Sequence, residues 1–119
     1  MLGLPDCGAV VAARAGHLRH GLAKFYAAEM TREEIKRKFA DEGLSPHSWS
    51  NGANYFYAEH SHEYDKVLYC VQGEVTFHLK DGDIVLHPGQ RVDIPAGTPH
   101  AATVGPDGVE CIEAAVHHR

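Results

Sequence analysis

The chain has 119 residues, of which 44% are hydrophobic and 23% charged, so it has the length and composition of one folded domain and is neither disordered nor collagen-like. It carries 11 Lys and Arg against 16 Asp and Glu, a net charge of −5, which argues against nucleic-acid binding because such surfaces are usually basic. No apolar run approaches the roughly 18 residues of a membrane helix. Residues 1–13 lack the basic start of a signal peptide, and three widely spaced cysteines define no disulfide framework. We therefore expect a cytoplasmic protein without membrane or nucleic-acid partners.

The first third of the chain has a helical pattern. Residues 9–42 carry apolar residues at near-helical spacing, although two glycines weaken the pattern; these apolar residues are Val11, Leu18, Leu22 and Phe25. Thr31 followed by Glu34 forms a capping box, which predicts a second helix over residues 32–41 with Gly43 as its stop. We therefore expect an N-terminal helical segment over residues 1–43.

Beyond residue 43 the sequence changes to short apolar runs separated by glycines and prolines. Seven runs are predicted as strands, at residues 55–59, 67–72, 75–79, 84–86, 91–94, 101–104 and 110–116. Asp81 and Gly82 form a two-residue hairpin signal, and residues 106–108 indicate another turn. This pattern predicts a mainly β domain over residues 44–119, an antiparallel sandwich or barrel preceded by helices.

Histidine is unusually frequent, with ten residues in the chain. His60 and His62 lie two apart at the end of an aromatic strand, so both side chains face the same side and could reach one metal ion. A His-x-His pair alone is more often a solvated or hydrogen-bonded pair. The rest of the pattern gives it weight, because a second glycine- and proline-rich segment also ends in a histidine, His100.

These residues resemble the two motifs of the cupin superfamily. The first motif is matched by Gly52, His60, His62 and Gly73, and the second by Gly89, Pro95, Gly97 and His100. The resemblance covers residues 52–104 and implies a small antiparallel double-stranded β-sandwich barrel with its ligand site inside. It also implies that His60, His62 and His100 bind a divalent metal ion, with iron, zinc, manganese and nickel not distinguished.

The sequence departs from the family pattern at Lys66, which occupies the position of the family's glutamate ligand. A protonated lysine cannot bind a metal ion. Lys66 could reach the rim of the barrel or pair with a carboxylate, leaving a three-histidine site, or it could replace the metal and bind an anionic substrate directly. Two further residues, Tyr57 and Cys70, are candidates for substrate contact, although sheet packing and core packing are the ordinary roles for these residue types.

Three functions remain open from the sequence. The first is a metal-dependent enzyme of the dioxygenase or isomerase type acting on a small molecule. The second is a non-catalytic module that binds an anionic or sugar-like ligand through Lys66 and the histidines. The third, a purely structural role, does not explain why three imidazoles should converge. We also expect a homodimer, because an open sandwich leaves edge strands that need cover.

Overall fold

Two long antiparallel strands organise the structure, a computed structural model that describes residues 23–117. In chain order the elements are β1 (Lys24–Tyr26), α1 (Arg32–Asp41), β2 (His47–Asn51), β3 (Phe56–His60), β4 (Asp65–Leu79), β5 (Gly82–Leu86), β6 (Arg91–Ile94) and β7 (His100–Val116). The path of neighbouring strands is β1-β6-β4-β7-β2, with β5 paired to β4 and β3 paired to β7. All these pairings are antiparallel. The predicted mainly β, antiparallel architecture is confirmed.

The centre of β4 is buried on both faces. Leu68 and Cys70 belong to the core inside the barrel, whereas Val67 and Tyr69 belong to a second cluster under α1. Successive side chains of a strand point to opposite faces, so the parity of a residue in β4 decides which cluster it joins. Lys66 has the same parity as Leu68 and Cys70, and the strand therefore directs it into the barrel.

Helix α1 begins at the predicted capping box. The hydroxyl of Thr31 accepts a hydrogen bond from the Glu34 N–H (3.2 Å), and the Glu34 carboxylate accepts one from the Thr31 N–H (2.8 Å). The buried residues Ile35 and Phe39 lie one turn apart, and the Phe39 ring meets Tyr69 edge-on at 5.3 Å between centroids. The helix thus covers the outer face of the sheet and leaves the interior to the site. Within residues 23–117, no helix has the length and hydropathy that a membrane span requires.

The helical prediction for residues 9–42 is wrong between residues 23 and 31, while residues 9–22 lie outside the described part. Residues Lys24–Tyr26 form an edge strand, with Phe25 opposite Val92 of β6. The next segment is held by a hydrogen bond from the Met30 N–H to the Gly89 carbonyl (3.0 Å). Phe25 packs on the core inside the barrel, so its apolar character serves a strand rather than a helix face. The division of the chain at residue 43 stays a prediction, although β1 belongs to the sheet.

Two pairs of predicted runs are continuous strands in the structure. The runs at 67–72 and 75–79 form β4, and those at 101–104 and 110–116 form β7. The predicted turn at 106–108 therefore lies inside β7, where Gly73 pairs with Val109 and Val75 with Val104, and residues 105–108 lie between the two paired stretches. A Cβ on Gly73, whose φ is 81°, would approach the Gly108 carbonyl oxygen to 2.0 Å. Glycine is required at this irregularity.

Candidate metal centre

Three imidazoles converge inside the barrel. His60 ends β3, His100 begins β7, and the two residues are directly paired across the strands. His62 follows two residues after His60, and its ring centroid lies 4.8 Å from that of His60 and 5.4 Å from that of His100. Their candidate ligand atoms all lie within 4.8 Å of one another. Nitrogen ligands of one zinc ion lie roughly 3.4 Å apart at bond lengths of about 2.1 Å, so small side-chain rotations would bring all three to one ion.

The hydrogen bonds of the histidines leave metal-binding nitrogens free. Nδ1 of His60 lies 2.8 Å from the Ala58 carbonyl, and Nδ1 of His100 lies 2.8 Å from the Thr98 carbonyl. A carbonyl only accepts, so both Nδ1 atoms carry the proton and each Nε2 presents a lone pair. Among the described residues, Nε2 of His62 and Nε2 of His100 are buried without a hydrogen-bond partner. Buried polar atoms are normally paired, and a metal ion fits this pair of nitrogens.

The surroundings of His62 and His100 favour their neutral forms. The pKa of His100 is lowered to about 4. Burial is the main cause, and the charges of His60 and Lys66 act in the same direction, whereas the hydrogen bond with Thr98 opposes them. Burial is also the main cause that lowers the pKa of His62, followed by the positive charge of Lys66. A neutral imidazole is the form that binds a metal ion. His62 and His100 can therefore bind a metal ion at neutral pH without first losing a proton.

Lys66 lies inside the barrel and pairs with a carboxylate that the sequence analysis did not identify. Its Nζ is 3.6 Å from Oε1 of Glu113, and both side chains are only 12% exposed. The same Oε1 accepts a hydrogen bond from Nε1 of Trp49 (2.8 Å), and Nε2 of His47 lies 3.9 Å from the other oxygen. Of the alternatives for Lys66, the structure shows pairing with a carboxylate rather than extension to the rim.

His60, His100 and this ion pair line one cavity of about 300 Å³. Its wall includes the aromatic rings of Trp49, Tyr57 and Phe77, and polar groups of β2 complete it. The Asn51 side-chain amide donates a hydrogen bond to the Tyr57 hydroxyl, which fixes that ring at the wall. The cavity therefore combines a metal-ligand cluster, a charged pair and an aromatic surface, the usual composition of a small-molecule site.

The structure separates the two other candidates for substrate contact. Tyr57 lines the cavity. Cys70 is completely buried in the hydrophobic core, and its thiol points to the carbonyls of Gln72 and Gly73. Cys70 is therefore not among the residues that line the cavity, and its role is the core packing that its residue type favours.

Sequence reasoning missed Trp49 and Glu113. The segment 47–51 has no apolar alternation and was not predicted as a strand, yet it forms β2 against β7. Glu113 carried a usable signal, because it is the single charged residue between Cys111 and Val116 in an apolar run. A lone carboxylate in a buried strand requires a partner, and pairing with a carboxylate was one of the alternatives for Lys66.

Comparison with known proteins agrees with this geometry. A family model described as "Cupin domain" matches residues 45–113, more than half of the chain. The chain therefore belongs to the cupin-domain family, as the resemblance of its motifs implied. No curated protein sequence matches the chain.

Solved structures with the same fold include proteins of several kinds. An RmlC-like cupin from Shewanella frigidimarina NCIMB 400 is 24% identical with a TM-score of 0.56, covering 64% of this chain and 68% of that one. KdgF from Halomonas sp. is 20% identical with a TM-score of 0.54, covering 81% of this chain and 80% of that one. The DMSP lyase DddQ from Ruegeria pomeroyi DSS-3 is 23% identical with a TM-score of 0.57, covering 61% of this chain and 38% of that one. At these identities the likeness shows a shared fold.

Proposed function

We propose that the protein binds one divalent metal ion through His60, His62 and His100 and is a metal-dependent enzyme of the dioxygenase or isomerase type that acts on a small molecule. The observation that carries this proposal is that Nε2 of His62 and Nε2 of His100 are buried without a hydrogen-bond partner. Both residues belong to the group of three histidines whose candidate ligand atoms lie within 4.8 Å of one another. Leaving such atoms unpaired costs stability, and binding a metal ion would remove that cost.

The cavity supports action on a small molecule. Its volume of about 300 Å³ lies at the lower end of the range for ligand pockets, roughly 300–1,000 Å³. Three histidines leave coordination positions open, and an ion bound there would act as a Lewis acid on an oxygen of the substrate. Imidazole ligands suit iron, zinc and nickel, whereas manganese is better suited by oxygen ligands. DddQ, named as a DMSP lyase, has this fold, so the fold accommodates catalysis on a small molecule.

Metal analysis of the purified protein tests the proposal. We expect about one equivalent of a divalent metal by elemental analysis, and its loss in the double variant His60→Ala/His62→Ala with the fold retained by circular dichroism. The matched control is His87→Ala, because His87 is exposed and pairs with Glu74 rather than with the triad. Equal metal content in the wild-type protein and the double variant would refute the three-histidine centre.

A second function is favoured by the position of Lys66, a largely buried ammonium at the cavity wall. In this alternative the protein is a non-catalytic module that binds an anionic or sugar-like ligand through Lys66 and the histidines. Binding of small anions with equal affinity by the metal-free and metal-loaded protein, with no turnover, would favour this alternative.

A further inference from the structure

The two oxygens of Glu113 have different environments. Oε1 accepts the Trp49 N–H at 2.8 Å and faces Lys66 at 3.6 Å. Oε2 accepts no hydrogen bond from the described residues, and Nε2 of His47 lies 3.9 Å from it. One oxygen therefore fixes the carboxylate in place, and the other is free to accept a proton in the cavity that His60 and His100 also line.

The ammonium of Lys66 has N–H donors that its contact with Glu113 does not use. Its distance of 3.6 Å to Glu113 exceeds that of a normal hydrogen bond. An ammonium group has three N–H donors, and Lys66 lines the cavity together with Glu113. These donors can meet an oxygen atom of a ligand, and a carboxylate or an enolate oxygen would be held more strongly than a neutral one.

We propose that Lys66 and Glu113 are the substrate-binding and proton-transfer pair of this site, and that the substrate class is small 2-oxo carboxylates with a C–H bond next to the carbonyl group. Glu113 is the catalytic base and Lys66 binds the substrate oxygen. This inference rests on the proposed metal-dependent function, deepens it, and selects proton transfer over oxygen chemistry.

The step balances without a further reactant. The C–H bond next to the carbonyl breaks and its proton forms an O–H bond with Oε2 of Glu113. The electron pair of that bond forms a C=C double bond, and the carbonyl π electrons move to the oxygen, giving an enolate. The enolate oxygen accepts a hydrogen bond from the Lys66 ammonium. Protonation of the enolate at carbon regenerates the 2-oxo acid, and exchange results when the proton on Glu113 has first been replaced by a deuteron from solvent. Protonation at oxygen gives the enol isomer.

The ordinary alternative is that Glu113 serves only as the counterion of Lys66 and the anchor of Trp49. Both interpretations require the ion pair. They differ because a counterion has no effect on the rate of proton removal from a bound ligand, whereas a general base contributes roughly 10²–10⁴-fold.

The test is hydrogen–deuterium exchange into pyruvate and 2-oxobutyrate in D₂O, followed by NMR with the zinc-loaded full-length protein. We expect Glu113→Gln to reduce exchange at least 100-fold relative to wild type, while Gln retains the acceptor for Trp49. Binding is measured separately by fluorescence, because Trp49 is the single tryptophan of the chain and lines the cavity. We expect Lys66→Met to weaken pyruvate binding at least tenfold and Glu113→Gln to leave binding within about threefold.

The matched control is Glu110→Gln, which removes a carboxylate from the same strand. Glu110 pairs with Arg32 outside the cavity, so exchange should be unchanged. Equal exchange in wild type and Glu113→Gln, or wild-type exchange no faster with either probe than free zinc at the same concentration, would overturn the inference. Metal content is measured on the same samples. Full metal without exchange refutes the role of Glu113 alone, whereas absence of metal refutes the proposed function and this inference with it.

Discussion

Replacing Lys66 with glutamate should restore the carboxylate that the family pattern places at this position. The side chain of Lys66 points into the barrel and is 12% exposed, so a glutamate there would also point inward. The change removes a positive charge that would repel the ion and adds an oxygen ligand. We expect Lys66→Glu to tighten binding of a divalent metal ion.

The magnitude follows from the charges around the site. A unit positive charge roughly 6 Å from a divalent ion repels it by about 5 kcal/mol at an effective dielectric constant of 20. Glu113, only 3.6 Å from Lys66, offsets a large part of that repulsion. The new carboxylate would also lie close to Glu113 and repel it. We therefore expect a gain of at least tenfold, about 1.4 kcal/mol.

The assay is a competition titration of zinc against a chromophoric chelator. Lys80→Glu is the matched control, because Lys80 is exposed in the turn after β4 and the substitution changes the net charge by the same amount. No gain in Lys66→Glu would refute the expectation that the inward ammonium opposes the metal, while the three-histidine centre would stand. Weaker binding would show that the Lys66–Glu113 pair holds the histidines in place.

Three further predictions concern stability and assembly. Arg91 donates hydrogen bonds to Asp93, Glu42 and Tyr69, so Arg91→Met should lower the free energy of unfolding by about 2–4 kcal/mol in urea denaturation; a loss below about 0.5 kcal/mol would contradict this. The pKa of His100 is about 4 in the fold against about 6.5 when unfolded, so the unfolded metal-free chain takes up the proton first as pH falls. The free energy of unfolding of the wild-type protein should therefore drop by up to about 3 kcal/mol between pH 6.5 and 4. The drop should be smaller in His100→Gln, and equal drops in the two proteins would show that His100 is not the cause. A homodimer is expected because β1 and β2 end the path of strands; a monodisperse monomer in light scattering would oppose it.

The parts of the fold that were predicted from sequence depend on local rules. The capping box of Thr31 and Glu34 determines the start of α1, and alternation and turn signals determined most strands. The spacing of His60 and His62 places both on one face of a strand, and the resemblance to the cupin motifs added His100 to them. Each of these features needs only neighbouring residues or a motif with fixed spacing.

The features that were missed depend on partners far along the chain. Strand β2 is polar and has no strand pattern of its own. It forms a strand because it pairs with β7, more than 60 residues away along the chain, as Trp49 pairs with Cys111. Strand β1 looked helical because three residues are too few to show a period. Lys66 and Glu113 meet because β4 and β7 are in register, with Lys66 paired to Ala115 and Leu68 to Glu113. No local pattern encodes that register across a strand irregularity.

Lys66 stands where the family pattern has a glutamate, and this difference alters the charge of the whole site. Neutral imidazoles of His60, His62 and His100 leave the double charge of a bound ion without an anionic protein ligand, and Glu113 is already paired with Lys66. A positive centre in a cavity favours anionic ligands, because the interaction is stronger where the surrounding protein replaces water. A substrate carboxylate would then supply the negative charge that the chain itself no longer brings to the ion. The departure from the family pattern at Lys66 therefore favours the proposed substrate class. The lysine stands where the family has a carboxylate ligand, and it provides N–H donors for the substrate anion that would take the place of that ligand.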